Sequence, residues 1–202
     1  MSTTSVNSKP TENSNTPRAM LALPRDRDGA PIPWGVKLID AVPDYSGFDE
    51  NKFNRALSAG RCWTCGERLA PPGSSPRAFL VTPAEAIMRM LPEPPSHPSC
   101  ISFLARRPPR NSRTSQYRLL GVWMTRKATP AAINKGPERR TVFWLDEPTE
   151  LYWLADGRAA SREDVEAEIA AAATQMPELA AESGLTTKQL AEQLHQLRRW
   201  LP

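Results

Sequence analysis

The chain has 202 residues, 40% of them hydrophobic, which suffices for one compact core with appendages rather than two independent ones. Its 26 basic and 22 acidic residues leave a formal charge of +4, a near balance that permits an acidic partner without demanding one. No apolar run is long enough to cross a bilayer, and the first residues lack the apolar stretch of a secretory signal, so the expectation is a cytoplasmic protein.

In chain order, residues 1–18 are mostly Ser, Thr, Asn and Pro, have almost nothing to bury, and are expected to form a disordered tail. Residues 19–160 are expected to make the core and residues 161–202 a set of helices packing on it. Trp34–Ile39, after Pro31-Ile32-Pro33, reads as the first core strand. Residues 48–60 place Phe48, Phe53 and Leu57 on one helical face and end in Gly60. Ala78–Val81 reads as a strand and Pro83–Met90 as a helix with proline in its first turn. Tyr117–Met124, Thr141–Leu145 and Leu151–Leu154 have strand composition and suggest a small antiparallel sheet. From Ser161 the composition turns to Ala, Glu, Gln and Leu. Ser161 with Asp164 and Thr186 with Gln189 are spaced as helix caps, and Leu190, Leu194, Leu197 and Leu201 form one stripe. That stripe is expected to pack on the core, with self-association as the alternative.

All three cysteines lie between positions 62 and 100, an odd number that intramolecular disulfides cannot consume. Cys62-x2-Cys65, a gap of 31 residues, then His97-x2-Cys100 gives two clips, each able to reach one ion from a tight turn. Gly66 supplies the permissive backbone of the first turn. Four protein ligands leave no coordination position for an activated water, so the expected metal is one structural zinc per chain. The fold class that follows is α+β: a small antiparallel sheet around a Cys3His zinc site, with C-terminal helices.

Catalytic patterns are missing. A zinc deaminase needs a His-x-Glu motif, and His195, the histidine left over, falls on a polar position of a terminal helix. No Walker loop, dinucleotide glycine pattern, nucleophile elbow or paired-histidine metalloprotease motif is present. A noncatalytic protein is therefore expected. Arg106, Arg107, Arg110 and Arg113 stand in the proline-broken segment after the zinc clips, and Arg118, Arg126, Lys127, Lys135, Arg139 and Arg140 extend the basic character. They are candidates for contact with DNA, RNA or an acidic protein partner, with Tyr117 and Trp123 available to stack on bases. The apolar residues from Trp144 to Trp153 are either core or an interface anchor. Gly184–Glu192 looks like the start of a helix-turn-helix reader, but too few residues follow for a second helix.

Pro31-Ile32-Pro33-Trp34, Cys62-Trp63-x-Cys65-Gly66, Phe79, Glu93-Pro94-Pro95-Ser96-His97-x-x-Cys100 and Asp156-Gly157-Arg158-x-x-Ser161-Arg162 occur in this order. In this the chain resembles a family of small uncharacterised zinc-knuckle proteins of bacteriophages, prophages and actinobacterial genomes, over about residues 31 to 185. The resemblance implies a zinc scaffold and a mobile-element origin, and brings no activity with it. Relatives carry a further cysteine within the stretch held here by Leu80–Arg89 and a Cys-Pro pair in place of Arg107-Pro108. Neither departure touches the four ligand positions. The expected role is an adaptor or inhibitor that binds a host or phage macromolecular complex, the alternative being a nucleic-acid-binding accessory factor.

Overall fold

A computed structural model of the protein describes residues 15–109, 112–135 and 138–202. Residues 1–14 of the expected tail, together with Arg110, lie outside the described residues, as do the side chains of Lys135 and Arg139. The core begins almost at once: a 3-10 turn over Arg18–Met20 seats Met20 with no exposed surface.

The organising element is a four-stranded antiparallel sheet in the order β3 (Arg77–Val81), β5 (Leu119–Thr125), β8 (Glu150–Ala155), β9 (Arg158–Ala159). Every residue of β5 is buried. Leu119 and Trp123 face one core with Phe79, Val81, Leu151 and Trp153, while Leu120, Val122 and Met124 face another with Ala78, Leu80 and Leu154. A strand covered on both sides needs apolar residues at every position, and this is why Leu119–Met124 lacks the alternation of a half-exposed strand. Gly121 sits where a side chain would collide with Val81 and Trp153.

The first face is covered by α2 (Pro83–Met88), α4 (Arg162–Ala173), α5 (Met176–Ser183) and α6 (Thr187–Leu197). Reciprocal capping boxes start α2 (Thr82 with Glu85), α4 (Ser161 with Asp164) and α6 (Thr186 with Gln189), satisfying backbone N–H groups that lack helical partners. Leu190 and Leu197 are buried in this core and Leu194 and Leu201 pack at its margin, so the leucine stripe serves the core. Trp153, Phe143, Leu145 and Leu151 belong to it as well.

A three-stranded sheet, β4 (Met90–Leu91), β7 (Glu138–Leu145) and β6 (Ala128–Lys135), flanks the helices. Ala128–Lys135, outside the segments of strand composition named above, is a strand paired to β7 along its whole length. It lies on the sheet edge, which is where Pro130 is tolerated.

Trp34–Ile39 is not the first core strand. Its strand part, β1 (Val36–Ile39), pairs only with β2 (Val42–Phe48), and the hairpin belongs to neither of the larger sheets. Its turn uses left-handed Asp40 and Ala41. Helix α1 (Glu50–Ala59) follows, capped by Asp49 and closed by left-handed Gly60. It presents Ala56 and Phe53 inward, while Leu57 faces solvent at 39% exposure and Phe48 belongs to β2.

Candidate metal centre

The ligand atoms of Cys62, Cys65, His97 and Cys100 all lie within 4.8 Å of one another. His97 Nδ1 is 3.4 Å from Cys65 Sγ and 3.9 Å from Cys100 Sγ. Tetrahedral coordination with metal–sulfur bonds of about 2.3 Å and metal–nitrogen bonds of about 2.0–2.1 Å separates N and S ligands by roughly 3.6 Å, so these spacings bracket what such an ion requires. The four residues can hold a metal ion, and the quartet read from the sequence is the one the fold assembles.

The first clip is a tight turn. Gly66 N–H donates to the Cys62 carbonyl at 2.8 Å with Gly66 at φ +77°, and a side chain at Gly66 would run into the Trp34 ring at 2.7 Å. Glycine is required here on both counts. The second clip opens α3 (Pro98–Arg106), with His97 as N-cap, Pro98 in its first turn and Cys100 within that turn. A thiolate there benefits from the positive end of the helix dipole. The backbone N–H groups of Cys65 and His97 point at Cys62 Sγ from 3.5 and 3.3 Å. His97 Nε2 lies 3.3 Å from the Arg68 carbonyl; an Nε2–H donating there leaves Nδ1 as the nitrogen that would bind an ion.

The clips are also tied to each other and to the sheet. Thr64 N–H donates to Ser96 Oγ at 3.1 Å, and Trp63 N–H to the Pro95 carbonyl at 3.1 Å. Ser96 and Ala78 exchange two backbone hydrogen bonds of 3.0 Å, fastening the second clip to β3. Cys62 and Cys100 have no exposed surface and Cys65 has 7%.

Burial opposes ionisation of Cys62, but hydrogen bonds from Cys100, Cys65 and His97 outweigh it and push that thiol down. Hydrogen bonds with Cys62 and Cys65 in turn push the Cys100 thiol up and raise His97 to about 10.

The basic residues are scattered. Arg106 closes α3 and is exposed with Arg107 beside it. Arg113 instead turns inward, its Nη1 donating to Glu85 Oε1 and its Nε to Glu93 Oε1, both at 2.6 Å. Burial pushes the Glu85 carboxyl up, against the pull of Arg113. Arg118 pairs with Asp164, and at longer range with Asp156 and Glu168. Arg140 is exposed and lies within β7, opposite Ile133 of β6. Trp123 is fully buried, whereas Tyr117 is 42% exposed. The sequence reading did not find the Arg113 triad, though Glu93 in the proline-stiffened connector before His97 was in view. No family model matches this chain, and no curated protein or solved structure matches it either.

Among the described residues, no helix is long and apolar enough to cross a membrane.

Proposed function

We propose that this chain is a noncatalytic, zinc-scaffolded adaptor or inhibitor of phage or mobile-element origin that works by binding a macromolecular complex of the host or phage. Zinc is the metal that three thiolates and one imidazole in tetrahedral array favour, and four protein ligands leave it no position for substrate. In that role it supplies rigidity alone.

The observation that carries the reading is the β1–β2 hairpin. Leu38, Ile39 and Val42 at its tip are 38, 49 and 52% exposed. A two-stranded hairpin is marginal by itself, and an apolar tip on such a hairpin gains stability when a partner covers it. The proline-stiffened metal scaffold anchors its base, because Trp34 and Gly35 N–H groups donate to the Thr64 and Trp63 carbonyls at 2.7 and 3.0 Å.

The test is capture from host lysate with the wild type and with a Leu38→Ser/Ile39→Ser/Val42→Ser variant, each checked for zinc content. One zinc per chain and a captured complex lost in the variant are the expected results. Reduced, folded protein without zinc removes the scaffold reading, and identical capture by the variant removes the hairpin reading. The exposed pair Arg106 and Arg107 supports nucleic-acid contact as a second reading. An electrophoretic shift that weakens steeply with salt, and less steeply in Arg106→Ala/Arg107→Ala, is its signature.

A further inference from the structure

Between the base of the hairpin, α1, the first metal clip and the Pro92–Ser96 connector lies a cavity of about 910 Å³, within the size range of small-ligand sites. Its aromatic lining is Phe48, Phe53, Trp63 and Phe79. Phe48 and Phe53 are near parallel, 5.9 Å between centroids, and Trp63 meets them edge-on at 5.1 and 5.9 Å. Phe48 is 36% exposed, so the cluster offers an open ring to the cavity's occupant.

Two polar residues of the lining are unfinished. Glu93 Oε1 is taken by Arg113, but among the described residues the buried Glu93 Oε2 has no hydrogen-bond partner, and neither has the buried Tyr45 hydroxyl. Burial raises the Tyr45 phenol to about 12, so it stays a neutral hydroxyl. An aliphatic occupant would leave both atoms unpaired, a cost set by desolvation. A cationic occupant would gain no net attraction, because Arg113 and Arg140 of the lining are balanced by Glu50 and Glu93. What fits is a neutral, flat aromatic group that carries an N–H donor for a fixed carboxylate oxygen.

From this we infer that the cavity binds an amino-bearing nucleobase, stacked on Phe48 and donating its exocyclic N–H to Glu93 Oε2. Uracil fits poorly, because two carbonyl oxygens flank its N–H and a carboxylate repels them. The base comes either from a free nucleotide or from an unpaired position of a strand. The site is independent of the hairpin tip and of the partner proposed above.

Full-length, metal-loaded protein is titrated with adenosine, cytidine, guanosine and uridine, then with the matching monophosphates and with short single strands, reading tryptophan fluorescence and saturation-transfer NMR. At least one amino-bearing nucleoside should bind about tenfold more tightly than uridine, and Phe48→Ala should weaken it about tenfold, as loss of a stacking ring does. Glu93→Gln should erase the discrimination against uridine. Tighter binding of the monophosphate identifies a free nucleotide as the source; tighter binding of the strand identifies an exposed base. No binding of any nucleoside at millimolar concentration, uridine binding equally well, or unchanged affinity in Phe48→Ala overturns the inference, as does preference for a guanidinium or trimethylammonium compound. If Glu93→Gln loses its metal or fold, Phe48→Ala and Tyr45→Phe decide the question, the latter expected to weaken binding.

Discussion

The two faces of the four-stranded sheet are filled by different means. On the helical face, large side chains such as Trp123, Phe79, Leu190 and Leu197 interlock beneath four short helices. On the other, Cys62, Cys65 and Cys100 sit among Met20, Leu80, Ile101 and Leu104, and one helix with loops provides the cover. The helical face is held by apolar area. The other face has one helix and loops, which an ion held by the Cys3His quartet would fix, as small cores generally require when area runs short. The contrast predicts that the faces fail differently.

The largest effect belongs to the metal. Chelation, or Cys100→Ser, should lower stability by more than about 4 kcal/mol and release the ion, read by metal analysis and denaturant unfolding. Acidification should release it as well, because protons compete for the thiolates and for His97. A folded, equally stable metal-free protein would show that the two faces do not differ in kind.

Next comes the helical face. Trp123→Ala should cost about 3–5 kcal/mol, the range for truncating a fully buried aromatic, while leaving the metal bound in the fraction that stays folded. Loss of metal in the folded fraction would mean that the faces act as one unit.

Arg113→Ala probes the seam between them, where Glu85 of α2 meets Glu93 of the connector. It should cost about 2–3 kcal/mol at neutral pH, since two carboxylates lose their counter-charge and the guanidinium they share is partly exposed. The pH dependence has a definite sign. Burial holds the Glu85 carboxyl above its ordinary 4.5 in the folded state, so its protonated form favours folding below that pH. The favourable contribution is lost as pH rises through the folded value. The variant's deficit should therefore shrink in acid; a deficit constant with pH would show that Glu85 does not titrate.

The smallest effect is at the outer edge of the helical face. Thr186→Ala removes the α6 cap and should cost about 1 kcal/mol, with the metal untouched.

What could be read in advance followed how local each signal is. The metal quartet was legible because two paired spacings use up every cysteine, and so were the capping boxes of α4 and α6, whose partners stand three residues apart; the Thr82–Glu85 box of α2 has the same spacing and went unread. Strand β5 was legible from six consecutive apolar or small residues. Strand β6 was not, because Pro130 and its small neighbours resemble a loop until β7 pairs with them. Helix α3 was hidden inside a motif read as a ligand clip, which Pro98 allows because proline suits a first helical turn. Arg113 was in view as a cation, but only the tertiary approach of Glu85 and Glu93 turns it inward. Nothing in the local sequence told β1 that it would face solvent, since its composition is that of a buried strand.

The bond pair between Ala78 and Ser96 has a consequence for the order of assembly. All four ligands exist once Cys100 has left the ribosome, but the sheet partner of β3 begins only at Leu119. A nascent chain can thus close the metal loop and hold β3 extended by its two bonds to Ser96 before any sheet is available to receive it. Such a clasp would give β5, and then β8, a ready edge to pair with as synthesis proceeds.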